Sequence, residues 1–107
     1  MSHLRDKVAL ITGAGQGVGQ GIALALASEG VKIAVTGRTL AKLETTCALI
    51  RERGGIAVAL EANVKEATDL SRIVEMTVAE LGGLDILVNN AQEVPLGPLD
   101  KVSDEAF

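Results

Sequence analysis

The sequence predicts an α/β fold built on a doubly wound parallel sheet with strand order 3-2-1-4. Three observations predict it. Short apolar runs recur along the chain, Val8-Ala9-Leu10-Ile11, Ile33-Ala34-Val35 and Ile86-Leu87-Val88. They do not alternate with polar residues, as expected of parallel strands covered on both faces. Stretches with apolar residues at helical spacing lie between them. The first run also enters a glycine-rich stretch, Thr12-Gly13-Ala14-Gly15-Gln16-Gly17-Val18-Gly19, which opens an alanine-rich helix. Strands alternating with helices argue a parallel sheet. Right-handed crossovers put the first two helices on one face. The return of strand four to the side of strand one puts the third helix on the other face, with the switch point between strands one and four.

The first strand is expected over residues 8–12 and the first helix over 17–28. Gly21, Ala23, Ala25 and Ala27 let that helix approach the sheet closely, and Gly30 suits the position just past its end. The second strand is expected over 32–36. Thr39 is a candidate N-cap for a helix over 40–53, whose Leu40, Leu43, Cys47 and Ile50 share a face. Gly54-Gly55 stops it. A third strand follows over 56–62, then a third helix over 66–81 with Leu70, Ile73, Val74, Thr77, Val78 and Leu81 as its stripe and Gly82-Gly83 as its stop. The fourth strand is expected over 85–89. Pro95, Gly97 and Pro98 mark residues 92–100 as a loop, and Ser103 with Asp104 and Glu105 has the form of another helix start.

The glycine-rich stretch carries the functional reading. A strand entering a glycine turn that opens a helix is a site for a dinucleotide pyrophosphate. Glycine permits positive φ and keeps side chains away from the phosphates. The helix start offers unpaired N–H groups and the positive end of its dipole. The same glycines would also serve a tight strand-to-helix turn with no ligand. The spacing is T-G-x-x-x-G-x-G, with Gly13, Gly17 and Gly19 in the pattern and Gly15, Gln16 and Val18 between them.

Composition narrows the alternatives. At 107 residues the chain holds one domain at most. A net charge of −4 with no basic run argues against nucleic acid or an anionic membrane as partner. No apolar run approaches the roughly 20 residues of a membrane span, and the polar start, residues 1–7, does not read as a signal peptide. The single cysteine, Cys47, excludes an internal disulfide and agrees with a cytoplasmic location. Cys47 reads as buried helix filler, and His3 as a solvated residue.

The end of the second strand bears on the coenzyme. An acidic residue about 20 positions past the glycine turn holds the ribose 2′-hydroxyl of NAD. Here Gly37 stands in that place and Arg38 follows. A guanidinium would make a forked, charge-assisted contact with a 2′-phosphate, so NADP is favoured, with NAD as the alternative. Arg38 is the one cation at hand for that phosphate, since Gln16 in the glycine turn is neutral.

The T-G-x-x-x-G-x-G stretch, Asn63-Val64 after strand three and Asn89-Asn90-Ala91 after strand four together resemble the short-chain dehydrogenase/reductase family. The similarity runs from Lys7 to Phe107. It implies a Rossmann fold and hydride transfer between a nicotinamide and a small-molecule carbonyl or alcohol. It implies that Asn63 accepts from the adenine amino group where the family has aspartate, with Val64 against the ring. It implies that Asn89, Asn90 and Ala91 pass their backbone along the coenzyme ribose, although Gln92 replaces the family's glycine. The family's serine, tyrosine and lysine, its oxidoreductase chemistry and its homo-oligomer interfaces lie in a later half. The chain holds no tyrosine. Residues 1–107 are therefore expected to be the N-terminal, coenzyme-binding portion of one Rossmann domain, truncated after strand four and inactive alone, with no catalytic residue. A non-catalytic nucleotide-binding module, complete as written, and a ligand-free structural fragment are the competing readings.

Overall fold

The structure is a computed structural model that describes residues 3–14, 17–63 and 66–90. The elements are β1 (Val8–Thr12), α1 (Gly17–Ser28), β2 (Lys32–Gly37), α2 (Leu40–Glu52), β3 (Ala57–Glu61), α3 (Ala67–Leu81) and β4 (Ile86–Asn89). The four strands form one parallel sheet in the order β3-β2-β1-β4, as the sequence predicts. Its central strand β1 is buried along its whole length, which explains why its sequence is apolar without alternation.

The two faces carry separate cores. Ala9 and Ile11 of β1 and Ile33 and Val35 of β2 face Ala23 of α1 and Leu43, Cys47 and Ile50 of α2. Val8, Leu10, Ala34 and Leu60 face Ile73 and Leu81 of α3. The alternation of side chains along a strand thus sends neighbouring residues to different layers. The helices divide between the faces as right-handed crossovers require.

The helix stops behave as their glycines predict. Gly30, Gly54 and Gly82 have φ of 89, 85 and 91°, and Gly82 caps α3 in the left-handed conformation. Strand and helix ends differ from expectation by a residue or so. Arg53 and Glu66 are caps rather than helix. Ile56 lies just outside β3 with its side chain 51% exposed, although its carbonyl accepts from Ile33 N–H. Asp85 precedes β4 and exchanges backbone and side-chain hydrogen bonds with Val8, each at 2.9 Å.

Five details depart from the sequence reading. Gly21 and Ala25, expected to let α1 approach the sheet, are exposed, because the face of α1 that meets the sheet carries Gly19 and Ala23. Thr39 sits at the N-cap of α2 but makes no side-chain cap bond. Its backbone carbonyl instead accepts from Lys42 and Leu43. Leu40, expected on the buried face, is exposed because it stands in the first turn of α2, beyond the apolar cluster that starts at Leu43. Val78, expected in the α3 stripe, is exposed as well. Among the described residues α3 alone covers its face of the sheet, so its flank meets no neighbouring helix. The predicted loop over 92–100 and the helix start at Ser103 lie outside the described residues.

Candidate functional site at the strand ends

Thr12 ends β1 at the switch point of the sheet, where the topology opens a crevice between β1 and β4. Its hydroxyl accepts from Asn90 N–H at 2.8 Å and lies 3.1 Å from the Asn89 side-chain oxygen, to which it donates. The Val88 carbonyl is a more distant acceptor at 3.4 Å. Thr12 is itself 2% exposed. One buried hydroxyl therefore ties the end of β1 to the end of β4, using both its donor and its acceptor capacity.

The glycine turn is anchored on the other side. Gly13 N–H donates to the Thr36 carbonyl of β2 at 2.9 Å, and the buried Ala14 carbonyl accepts from Thr46 of α2 at 2.9 Å. Gly13 and Gly17 have φ of 67 and 62°, a region that side chains disfavour. Gly19 has a different reason. A Cβ at Gly19 would stand against the Gly13 carbonyl oxygen, 2.8 Å from Asn90 Nδ2 and 2.9 Å from Ala14 Cα. The turn, the start of α1 and the end of β4 thus meet at one point where only a glycine fits. The first turn of α1 has no acidic residue. Val18 in that turn is 68% exposed, an apolar side chain facing solvent at the rim of the crevice.

Gly37 and Arg38 follow at the end of β2. The Gly37 carbonyl accepts from Ala62 N–H at 2.8 Å. A Cβ at Gly37 would make only an ordinary contact, 3.4 Å from Leu43 Cδ2, so packing does not dictate glycine there. Arg38 is exposed and enters no ion pair among the described residues. Asn63, after β3, has its backbone fixed at both ends. Its N–H donates to the Asp69 carboxylate at 2.9 Å, and its carbonyl accepts from Glu66 N–H at 2.9 Å.

Gly13, Gly17, Val18, Gly19, Gly37, Arg38, Asn63, Asn89 and Asn90 therefore all lie at the carboxyl ends of the strands or at the helix start that follows β1. Gly13, Gly19 and Asn90 are brought so close together that a Cβ at Gly19 would collide with both of the others. Gly15, Gln16, Val64 and Ala91 lie outside the described residues. Sequence reasoning missed Thr46, Gln20 and Asp69. Only Asp69 carried a local signal, an acid in the first turn of a helix. A cleft of about 310 Å³ among the described residues opens at the opposite end of the sheet, lined by Arg5, Asp6, Gly30, Lys32 and Arg53 among others. It touches none of the predicted site residues. The buried Cys47 thiol is held above its ordinary pKa, chiefly by burial, with Arg51 opposing and Glu44 adding a smaller upward push. Among the described residues no group of side chains could hold a metal ion, and no helix is long and apolar enough to cross a membrane.

Comparison with known proteins bears on the family and the fold. Residues 7–107 match the family described as short chain dehydrogenase. The chain is 39% identical to a short chain dehydrogenase of Emericella nidulans, over 98% of this chain and 40% of that protein. It is 38% identical to galactitol 2-dehydrogenase of Agrobacterium fabrum, over 98% of this chain and 40% of that protein. The structure of NAD+-bound xylitol dehydrogenase superposes with a TM-score of 0.80 at 36% identity, covering 84% of this chain and 35% of that one. The chain spans about two fifths of the length of the curated relatives it matches.

Proposed function

The chain belongs to the short-chain dehydrogenase family, and from that membership we propose that it is the coenzyme-binding portion of an NADP(H)-dependent oxidoreductase. A bound nicotinamide supplies the hydride donor or acceptor for a carbonyl or alcohol substrate. The observation that carries the reading is the meeting of Gly13, Gly19 and Asn90 at the switch point of the sheet. A glycine turn leading into a helix start without acidic residues suits a pyrophosphate. The groups present fit such a ligand. Gly17 has open space where a Cβ would stand, and the Ala14 carbonyl is already taken up by Thr46 rather than aimed at an anion.

Each strand end takes a part of the coenzyme in this reading. The stretch from Gly13 to Gly19, including Gly15, Gln16 and Val18, holds the pyrophosphate. Gly37 leaves room for a ribose 2′-phosphate and Arg38 pairs with it. Asn63 accepts from the adenine, with Val64 against the ring. Asn89, Asn90 and Ala91 line the ribose next to the nicotinamide. The proton-transfer groups of the family have no counterpart among residues 1–107, which act as the coenzyme half of a catalytic unit in a homo-oligomeric, cytoplasmic enzyme.

The NAD alternative has its own support, because a neighbour in fold is described as NAD+-bound. The discriminating experiment is a fluorescence titration of the full chain with NADPH and NADH. A charge-assisted hydrogen bond contributes roughly 1.5–3 kcal/mol, about 10- to 100-fold in affinity. Arg38→Ala should therefore weaken NADPH by about that factor and leave NADH unchanged. Equal NADPH binding by the variant would remove the NADP assignment in favour of NAD.

A further inference from the structure

We propose that Thr46 and Gln20 are positioning residues for the glycine turn, holding it in the form that receives a pyrophosphate; the proposal rests on the nucleotide-binding reading above. Thr46 is wholly buried on the face of α2 that carries Leu43, Cys47 and Ile50. A buried hydroxyl needs a partner, and a helical threonine usually finds one in the carbonyl one turn back. Thr45 and Thr77 do this, donating to Ala41 and Ile73 at 3.1 and 2.7 Å. Thr46 does not rely on that bond, since the Lys42 carbonyl is 3.5 Å away. Its hydroxyl instead reaches 2.9 Å to the Ala14 carbonyl, 32 residues earlier in the chain.

Gln20 completes the arrangement. Its side-chain amide on α1 donates to Thr46 Oγ1 at 3.1 Å. That donation uses an acceptor position of the hydroxyl, and the single hydroxyl proton points to Ala14. A relay thus runs from α1 through α2 to the turn between β1 and α1. Its effect is directional. The helix α2 packs against β2, β3 and α1, so Thr46 draws the Ala14 carbonyl to the side of the turn away from β4 and Asn90. A carbonyl oxygen facing the crevice would repel a phosphate, and the relay prevents that orientation. Gly13 N–H is fixed by the Thr36 carbonyl at the same time, so the turn is held before and after its first bend.

The test uses the full chain and whichever of NADPH and NADH the wild type binds more tightly, together with an adenosine-side fragment that carries neither phosphate of the pyrophosphate, 2′-AMP for NADPH or adenosine for NADH. Thr46→Val should weaken the dinucleotide about tenfold, the effect of losing one buried hydrogen bond. Thr46→Ser keeps the hydroxyl and should stay within about threefold of wild type. Gln20→Leu, at a half-buried position, should weaken the dinucleotide about threefold without disturbing the core. Binding of the fragment should be unchanged in all three. Equal dinucleotide affinity in Thr46→Val and wild type would overturn the proposal. So would a serine variant as weak as the valine one, or a fragment weakened as much as the dinucleotide, because either would mark a general packing defect. A wild-type protein that binds neither dinucleotide would overturn the nucleotide reading itself and the relay's role with it.

Discussion

Gly19 and Gly21 lie two residues apart in α1, and alanine at each should have opposite effects on stability. At Gly21 a Cβ would find nothing within 4 Å. The position is exposed and helical, so alanine there should stabilise by about 0.4–1 kcal/mol through reduced freedom of the unfolded chain. At Gly19 the Cβ would stand 2.9 Å from Ala14 Cα, whereas carbon atoms pack at about 3.5–4.0 Å. The turn must therefore withdraw by roughly 0.6 Å or more to reach normal contact. It is held against doing so by the bonds of Gly13 to Thr36 and of Ala14 to Thr46. Asn90, whose Nδ2 would lie 2.8 Å from the new Cβ, can rotate its side chain, but its backbone is fixed to Thr12. Overpacking of this kind costs about 1–3 kcal/mol, offset by at most about 1 kcal/mol of helix propensity. Gly19→Ala should therefore destabilise by about 1–2 kcal/mol, and the two variants should differ by about 2 kcal/mol. Urea unfolding of the full chain, monitored by circular dichroism, measures both. Two variants of equal stability, or the reverse order, would refute the steric account of Gly19.

Two further outcomes follow from buried groups. Thr12→Val preserves shape but leaves Asn90 N–H without its acceptor, which should cost about 1–3 kcal/mol. Thr12→Ser should restore most of the loss, and a valine variant as stable as wild type in urea would show that the crevice does not depend on this bond. Cys47 is fully buried and its thiol pKa is raised by burial. Above the ordinary value of about 8.5 the unfolded thiol ionises while the folded one keeps its proton. Stability from this group is complete below that pH and falls as pH rises toward the folded pKa. Cys47→Ala should flatten the alkaline limb of a stability–pH profile, and native Cys47 should resist iodoacetamide until the chain is unfolded. Rapid alkylation of the native protein would contradict its burial.

Much of the fold was legible because the signals were local. Apolar runs without alternation marked the strands, glycines marked the helix stops, the doubly wound pattern gave the strand order, and the handedness of crossovers gave the distribution of helices. Helical spacing overestimated the buried stripes. It placed Leu40 and Val78 on buried faces, but a helix buries only what the sheet beneath it can reach. The site was legible where the requirement is backbone geometry, as at Gly13, Gly17 and Gly19. It was not legible at Thr46 and Gln20, whose hydrogen bond links residues 26 apart in the chain. Nor could the sequence separate the threonines that bond back within their own helix from the one whose shorter bond reaches another segment. That difference depends on which segment the fold brings alongside.

At the carboxyl ends of the strands the boundary between interior and rim is abrupt. Thr36 is wholly buried, with its hydroxyl bonded to the Leu60 carbonyl at 2.6 Å, yet Gly37 is only half-buried and Arg38 is exposed. At Gly37 and Arg38 packing places little restriction on the side chain, so exchanges there should leave the sheet intact. At Thr36, one residue earlier, an exchange disturbs a buried hydrogen bond and the core around it. The surface at the end of β2 can thus be rewritten independently of the interior it sits on.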